Sequence, residues 1–322
     1  LRANNGDIEA QYQYAVMLET GNGAVRNIKD AMKYYRMACF AQDATHHLPS
    51  MHALALLYES MQKWEEAELL FRTAADEGYK ESQFHYALML KNGSGTCEVD
   101  IFKAAKYFKL AADQNDSDAQ HYYGHLLLEG QGVILNKKMA ADYFKMAADQ
   151  NDSDAQNIYG MLLKNGADGE IKVNRALAKV YLRKSAEQKD QNGMINYGDF
   201  LVEEVEQKHK LEEVLHNKIP IKLKHACYYY LQCSRLGNEV ALEKYNKMNI
   251  ELTESDEEFF ANLHGFDEYP TTVDDVDDQF DDEKMEISIK EAADNGDPES
   301  QYKYGMILMK EQKKAQLAYA YF

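Results

Sequence analysis

The sequence contains no run of 18 apolar residues, so none of its segments is expected to cross a membrane as a helix. It is also short of basic residues: 36 Lys and Arg stand against 54 Asp and Glu, a net charge of −18. A surface of that sign argues against nucleic acid and anionic bilayers as partners. Catalytic groupings are missing as well. No Ser/His/Asp or Cys/His set suggests a nucleophile. The Gly-x-Gly turns at 21–23, 93–95 and 130–132 lack the preceding strand of a dinucleotide loop. The expectation is a chain that is not an enzyme and carries no cofactor.

What the sequence does have is repetition. Tyr107–Gln120 (YFKLAADQNDSDAQ) returns 36 residues later as Tyr143–Gln156 (YFKMAADQNDSDAQ), with 13 of 14 positions identical. Self-similarity at this period marks stacked helical units, each burying its apolar face on the next. Taking Gln11, Gln83, Gln120, Gln156 and Gln301 as reference, a small residue precedes each (Ala10, Ser82, Ala119, Ala155, Ser300). At +3 stands Tyr14, Tyr86, Tyr123, Tyr159 or Tyr304, at +4 Ala15, Ala87, Gly124, Gly160 or Gly305, and at +7 a leucine. That spacing is one face of a helix, helix A. Met51 and Met194 hold the reference position in two weaker copies.

Each helix A is followed by a helix B with Ala, an aromatic pair at +3/+4 and a small pair at +7/+8, as in Ala104–Tyr107–Phe108–Ala111–Ala112 and Ala140–Tyr143–Phe144–Ala147–Ala148. Asn27, Asp100, Asn136 and Asn174 stand where helix B needs an N-cap. Gly21, Gly93, Gly130 and Gly166 stand where helix A needs a left-handed terminator. The small positions let helix backbones approach closely, so a bulky residue at Ala111 or Ala147 should overpack the contact, at about 1–3 kcal/mol. Of the four cysteines, Cys39 and Cys233 fall on small positions of helix B, and Cys227 lies on the same helix as Cys233. A small buried apolar side chain accounts for all three.

The A-Q-x-x-Y-G-x-x-L helix, the G-x-G-V turn (Gly130, Gly132, Val133) and A-x-x-Y-F-x-x-A-A together resemble the Sel1-like repeat (SLR), a relative of the tetratricopeptide repeat. The unit at 42–78, with Trp64–Glu65–Glu66–Ala67 and no Gly turn, is more similar to a plain tetratricopeptide repeat. The resemblance implies an all-α, right-handed α-solenoid of about eight antiparallel helix pairs. The units fall at about 4–41, 42–78, 79–115, 116–151, 152–190, 191–237, 238–296 and a truncated 297–322, in one helical-repeat domain. It also implies a non-catalytic scaffold or adaptor for other proteins. Secreted members of the family pair cysteines within repeats; this chain does not, so a reducing, cytoplasmic compartment is expected. The chain opens on Leu1 and stops at Phe322 inside a helix B, which is expected of a piece of a longer protein.

The repeat is interrupted twice. Val202–Lys224 replaces a short turn with a charged stretch, read as a helical extension ending near Pro220. Ile250–Lys284 carries 14 acidic residues and one Lys, which opposes compaction, so the segment is expected to be largely disordered. Within it Ser255 and Glu258 form a capping box ahead of Phe259 and Phe260. One reading makes these exposed aromatics a short motif for a basic partner; the other makes the segment a tolerated loop. Ser255 and Thr272 also lie in acidophilic kinase contexts, where phosphate would add charge. The Asp275–Phe280 run is no EF-hand, because Phe280 stands where the loop requires Gly.

Helix A lines the concave face in solenoids of the resembled type, and positions +1, +2 and +5 change from unit to unit. They read Tyr12, Gln13 and Val16; Phe84, His85 and Leu88; His121, Tyr122 and His125; Asn157, Ile158 and Met161. Rings and Met are enriched at protein interfaces, which makes this face the candidate partner site. The competing reading packs these residues on the next unit's helix. His121 and His125 have the i, i+4 spacing a metal could bridge, but no third ligand is evident and no metal site is assigned. Two further roles stay open by family analogy: a substrate-presenting adaptor in endoplasmic-reticulum-associated degradation, and the repeat region of a multidomain, kinase-like signalling protein. The Asn-x-Ser sequences at Asn92, Asn115 and Asn151 read as turn and cap chemistry rather than glycosylation sites.

Overall fold

The computed structural model describes residues 2–40, 46–95, 97–167, 170–209 and 221–261. They form a short 3-10 turn followed by α-helices: α1 (Ile8–Thr20), α2 (Ile28–Cys39), α3 (Leu48–Ser60), α4 (Trp64–Asp76), α5 (Lys80–Asn92), α6 (Ile101–Asp113) and α7 (Ser117–Glu129). The series goes on with α8 (Lys137–Asp149), α9 (Ser153–Asn165), α10 (Arg175–Glu187), α11 (Gln191–His209), α12 (Ile221–Arg235), α13 (Glu239–Met248) and α14 (Glu254–Ala261). Odd-numbered helices through α11 are the A helices, and even-numbered ones through α12 are the B helices. Helices α1 to α10 each pack on their neighbours in sequence, and α12 packs on α13 and α14, in an all-α repeat fold. The chain divides into two compact units, Leu1–Tyr197 and Gly198–Phe322.

Caps fix the helix boundaries. Asn27, Asp100, Asn136 and Asn174 each accept a hydrogen bond from a first-turn amide of α2, α6, α8 and α10. Asp7, Asp116 and Asp152 do the same for α1, α7 and α9. Helices α1, α5 and α7 end on left-handed Gly21, Gly93 and Gly130. Gly166 departs from the expected left-handed form: at φ 69° and ψ 178° it is extended on the side open only to glycine. Its turned carbonyl leads into the bridge between Ala167 and Ile171. The second unit needs no glycine turn, because Met61–Lys63 joins α3 to α4 directly with Gln62 at φ 58°.

The repeated wording serves the seam between units. Gln83, Gln120 and Gln156 are buried, and each Nε2 donates to a carbonyl in the last turn of the preceding B helix: Ala75, Ala112 and Ala148, each at 3.1 Å. Each Oε1 accepts in turn from the glutamine after the next B helix: Gln114, Gln150 and Gln188, all at 2.8 Å. Asn115 and Asn151 sit at positive φ, accept from Gln120 and Gln156, and donate to Gln150 and Gln188. Tyrosines tie successive B helices: Tyr107, Tyr143 and Tyr181 donate to Asp76, Asp113 and Asp149 at 2.5, 2.7 and 2.6 Å. At the first seam Gln11 Oε1 is buried without a partner among the described residues, and Phe40 occupies the place of the donating glutamine.

Close approach inside each pair is visible at the +4 glycines. A Cβ on Gly124 would meet the Phe144 ring at 3.0 Å, and one on Gly160 would meet Leu182 Cγ at 2.8 Å. Behind them Tyr35, Phe71, Phe108, Phe144 and Leu182 form the buried spine of the B helices. Burying each such side chain contributes about 1.5–3 kcal/mol.

In the second compact unit α12 carries the buried Ala226, Cys227, Tyr229, Tyr230 and Cys233, and Tyr230 donates to Asp199 at 2.7 Å. The charged extension is present as the longer α11; residues 210–220 fall outside the described residues. The acidic segment departs from expectation at its start. Residues 254–261 form α14, packed on α12. Its capping box is Thr253 and Asp256, not Ser255 and Glu258. The Thr253 hydroxyl accepts from the Asp256 amide at 3.2 Å, and Asp256 Oδ2 accepts from the Thr253 amide at 3.1 Å. Asp256 is buried and takes the Lys224 ammonium at 3.2 Å, while Arg235 clamps Glu257 with two bonds. Phe260 is not an exposed anchor: it is 2% exposed and stacks on His225 at 4.8 Å. The Phe259 side chain and everything after Ala261, including Thr272, the Asp275–Phe280 run and the eighth unit, lie outside the described residues.

Candidate interaction face

The aromatic and histidine side chains among the variable A-helix residues sit over the buried spine, each meeting a spine ring with one side. Tyr122 lies parallel to Phe108, with centroids 5.3 Å apart, and His85 is parallel to Phe71 at 5.2 Å. Phe84 tilts against Phe108 at 5.9 Å, and His121 and His125 stand edge-on to Phe144 at 6.0 and 5.1 Å. Tyr12 leans on Tyr35 at 6.0 Å and on His47 at 5.1 Å. Leu88, Ile158 and Met161 are half-buried on α5 and α9.

The +1 residue of one unit reaches the +2 residue of the next. His52 meets His85 at 5.1 Å, Phe84 meets Tyr122 at 5.7 Å, and Asn196 Nδ2 donates to Asn157 Oδ1 at 2.8 Å. Packing on the next unit's helix therefore accounts for part of these positions. At +1, His52, Phe84 and Asn157 pack on the following A helix, and Asn157 is buried. The +2 and +5 rings keep a side toward solvent. Phe84, His85, His121, Tyr122 and His125 form a continuous run of ring contacts on α5 and α7. Tyr12 lies outside that run, and Phe260 belongs to the packing of α14.

His52 belongs to the face and is not among the expected residues, because its unit carries Met51 where the others carry Gln. Applying the +1 rule to Met51 finds it. Its Nδ1 is hydrogen-bonded to the buried Ser82 Oγ at 3.0 Å. Burial, aided by His85, pushes the His52 imidazole down to about 4. Burial also lowers His85, and burial with His121 lowers His125. His121 Nδ1 sits 3.3 Å from Asp152 Oδ1, which also caps α9. Burial opposes the Asp152 charge, but that hydrogen bond and the Ala155 amide outweigh it and hold the carboxyl below its usual range. No group of three metal-ligating side chains converges among the described residues, and none of their helices is long and apolar enough to cross a membrane.

Antiparallel helix pairs stacked through a glutamine seam define a tetratricopeptide-related helical-repeat protein. Residues 8–39, 80–116, 117–152 and 153–190 match the Sel1 repeat, so the chain carries four such repeats. Among solved structures it is similar to a protective antigen of uropathogenic Escherichia coli strains displaying an SLR fold, at 21% identity and a TM-score of 0.65. That match covers 99% of this chain and 69% of the antigen. It is also similar to a Sel1 repeat protein from Oxalobacter formigenes, at 20% identity and a TM-score of 0.49, covering 77% and 78% of the two chains. At 21% identity the likeness to the antigen speaks for the fold alone. No curated protein matches the sequence.

Proposed function

We propose that the chain is a non-catalytic scaffold that binds a peptide or helix of another protein on its helix-A face. Sel1 repeats generally mediate protein–protein interaction, which is the starting point. The observation that carries the reading is the half-exposed run of rings from Phe84 to His125, each resting on a fully buried spine residue. Rings held on one side and open on the other offer large contact area at little cost in lost side-chain freedom. Tyr12, Leu88, Ile158 and Met161 extend the same face. Alanine variants of Phe84, His121, Tyr122 and Met161 should each weaken partner binding while the fold is kept, as read by circular dichroism. A series that leaves every partner bound removes the face from the reading. The acidic segment beyond α14 is a second recognition element, suited to a basic patch, and deleting 262–284 tests it separately.

A further inference from the structure

The carboxylates of the repeat stack differ in whether another side chain occupies them. Those at the ends of the B helices are occupied: Asp113 takes the Lys109 ammonium and the Tyr143 hydroxyl, and Asp149 takes Lys145 and Tyr181. Glu59, Asp118 and Glu129, on the A helices beside the rings, make no ion pair or side-chain hydrogen bond among the described residues. Glu59 is half-buried and the other two are exposed. Glu59 and Asp118 act on His85 from α3 and α7, and Glu129 acts on His125. Burial pushes the half-buried Asp116 carboxyl up, with Asp118 and Glu81 adding to it, against the hydrogen bond from the Ala119 amide and the charge of Lys80. The ring face also accepts a cation, since Lys91 Nζ lies 5.6 Å from the centroid of Tyr122.

We propose that the helix-A face between α3 and α7 recognises an arginine-bearing peptide segment, whose guanidinium groups lie on the rings of Phe84 and Tyr122 and pair with Glu59, Asp118 and Glu129. This rests on the helix-A face being the binding surface. Arginine fits better than lysine because its planar group covers a ring and still offers donors to a carboxylate. An acidic segment would leave those three carboxylates facing like charge.

The test is selection of displayed random 12-residue peptides on the full chain, counter-selected on the Phe84→Ala/Tyr122→Ala double variant. Both forms carry the same acidic tract, so peptides held by the tract cancel. The expected survivors are enriched in Arg. Their dissociation constant should rise about tenfold in a Glu59→Gln/Asp118→Asn/Glu129→Gln variant with an unchanged circular dichroism melt, and the loss should shrink in high salt. Survivors that are acidic or purely apolar, or Arg peptides indifferent to the triple variant, overturn the arginine proposal and leave the helix-A face standing. If no peptide survives counter-selection, the face itself falls. A Tyr122→Leu variant, which keeps bulk on Phe108 but loses the ring, should erase the preference for Arg over Lys; an undiminished preference also contradicts the proposal.

Discussion

Tyr122 lies flat on Phe108, with centroids 5.3 Å apart and planes 6° from parallel. One ring is wholly inside the stack and the other half outside it, so cohesion and recognition are separated across a single contact. Phe108→Ala should cost about 3–5 kcal/mol, as a large side chain removed from a packed core does. Tyr122→Ala should cost clearly less, because part of its surface is already in water. Urea unfolding of the two variants checks the order, and equal losses would place Tyr122 in the core.

The buried glutamines predict a second asymmetry. Gln120→Leu removes the donor to Ala112 and the acceptor for Gln150 together, two hydrogen bonds that contribute about 0.5–1.5 kcal/mol each. Substituting the exposed Gln13, which bonds only Glu9 on its own helix, should change stability by less than about 0.5 kcal/mol. Chemical unfolding of both variants reads the contrast.

Glycine-to-alanine changes should run against helix propensity. In an open helix interior Gly→Ala stabilises by about 0.5–1 kcal/mol. At Gly160 the new methyl would meet Leu182 Cγ at 2.8 Å, so overpacking of about 1–3 kcal/mol should dominate and lower the melting temperature. A raised melting temperature would show that the α9–α10 pair has slack.

Acid should loosen the seam between α3 and α5. The His52 pKa is pushed down to about 4, below the ordinary value of about 6.5 that the unfolded chain has. Between these values the unfolded state binds the extra proton, so stability is fully present above about 6.5 and falls as pH drops toward about 4. His85 and His125, also lowered, act in the same direction. Carboxylates held low, such as Asp152, lose their contribution only at lower pH. His52→Gln should flatten the upper part of this slope, measured as unfolding free energy against pH.

Phe260 and Asp256 predict a local event. Phe260→Ala removes the stack on His225, and amide exchange across residues 254–261 should accelerate while α5 and α7 stay protected. Binding on the helix-A face should be unaffected. A loss of binding without faster exchange would return Phe260 to the role its exposed reading gave it.

Most of the architecture is legible in the residues because the repeat makes each statement several times. The caps at Asn27, Asp100, Asn136 and Asn174 recur at one offset, and so do the +4 small residues that meet the spine. Legibility fails where information comes from a single copy. Thr253 and Ser255 are both able to cap a helix, and only the salt bridge of Asp256 to Lys224, a residue of α12, fixes which one does. The burial of Phe260 depends on that same distant helix. Gly166 looks like its counterparts, yet the bridge at Ala167 turns its carbonyl over. The lean of each +1 residue onto the next A helix follows from how the units pack, which the period alone does not encode.

Site-specific photo-crosslinking in a lysate of the source cells tests the helix-A face most directly. A crosslinking side chain is placed either at Tyr122 on α7 or at the exposed Met146 on α8, and adducts are identified by mass spectrometry. Reproducible protein adducts at Tyr122 and none of the same species at Met146 are expected. The same partners captured only from Met146 would put binding on the B helices and contradict the proposal.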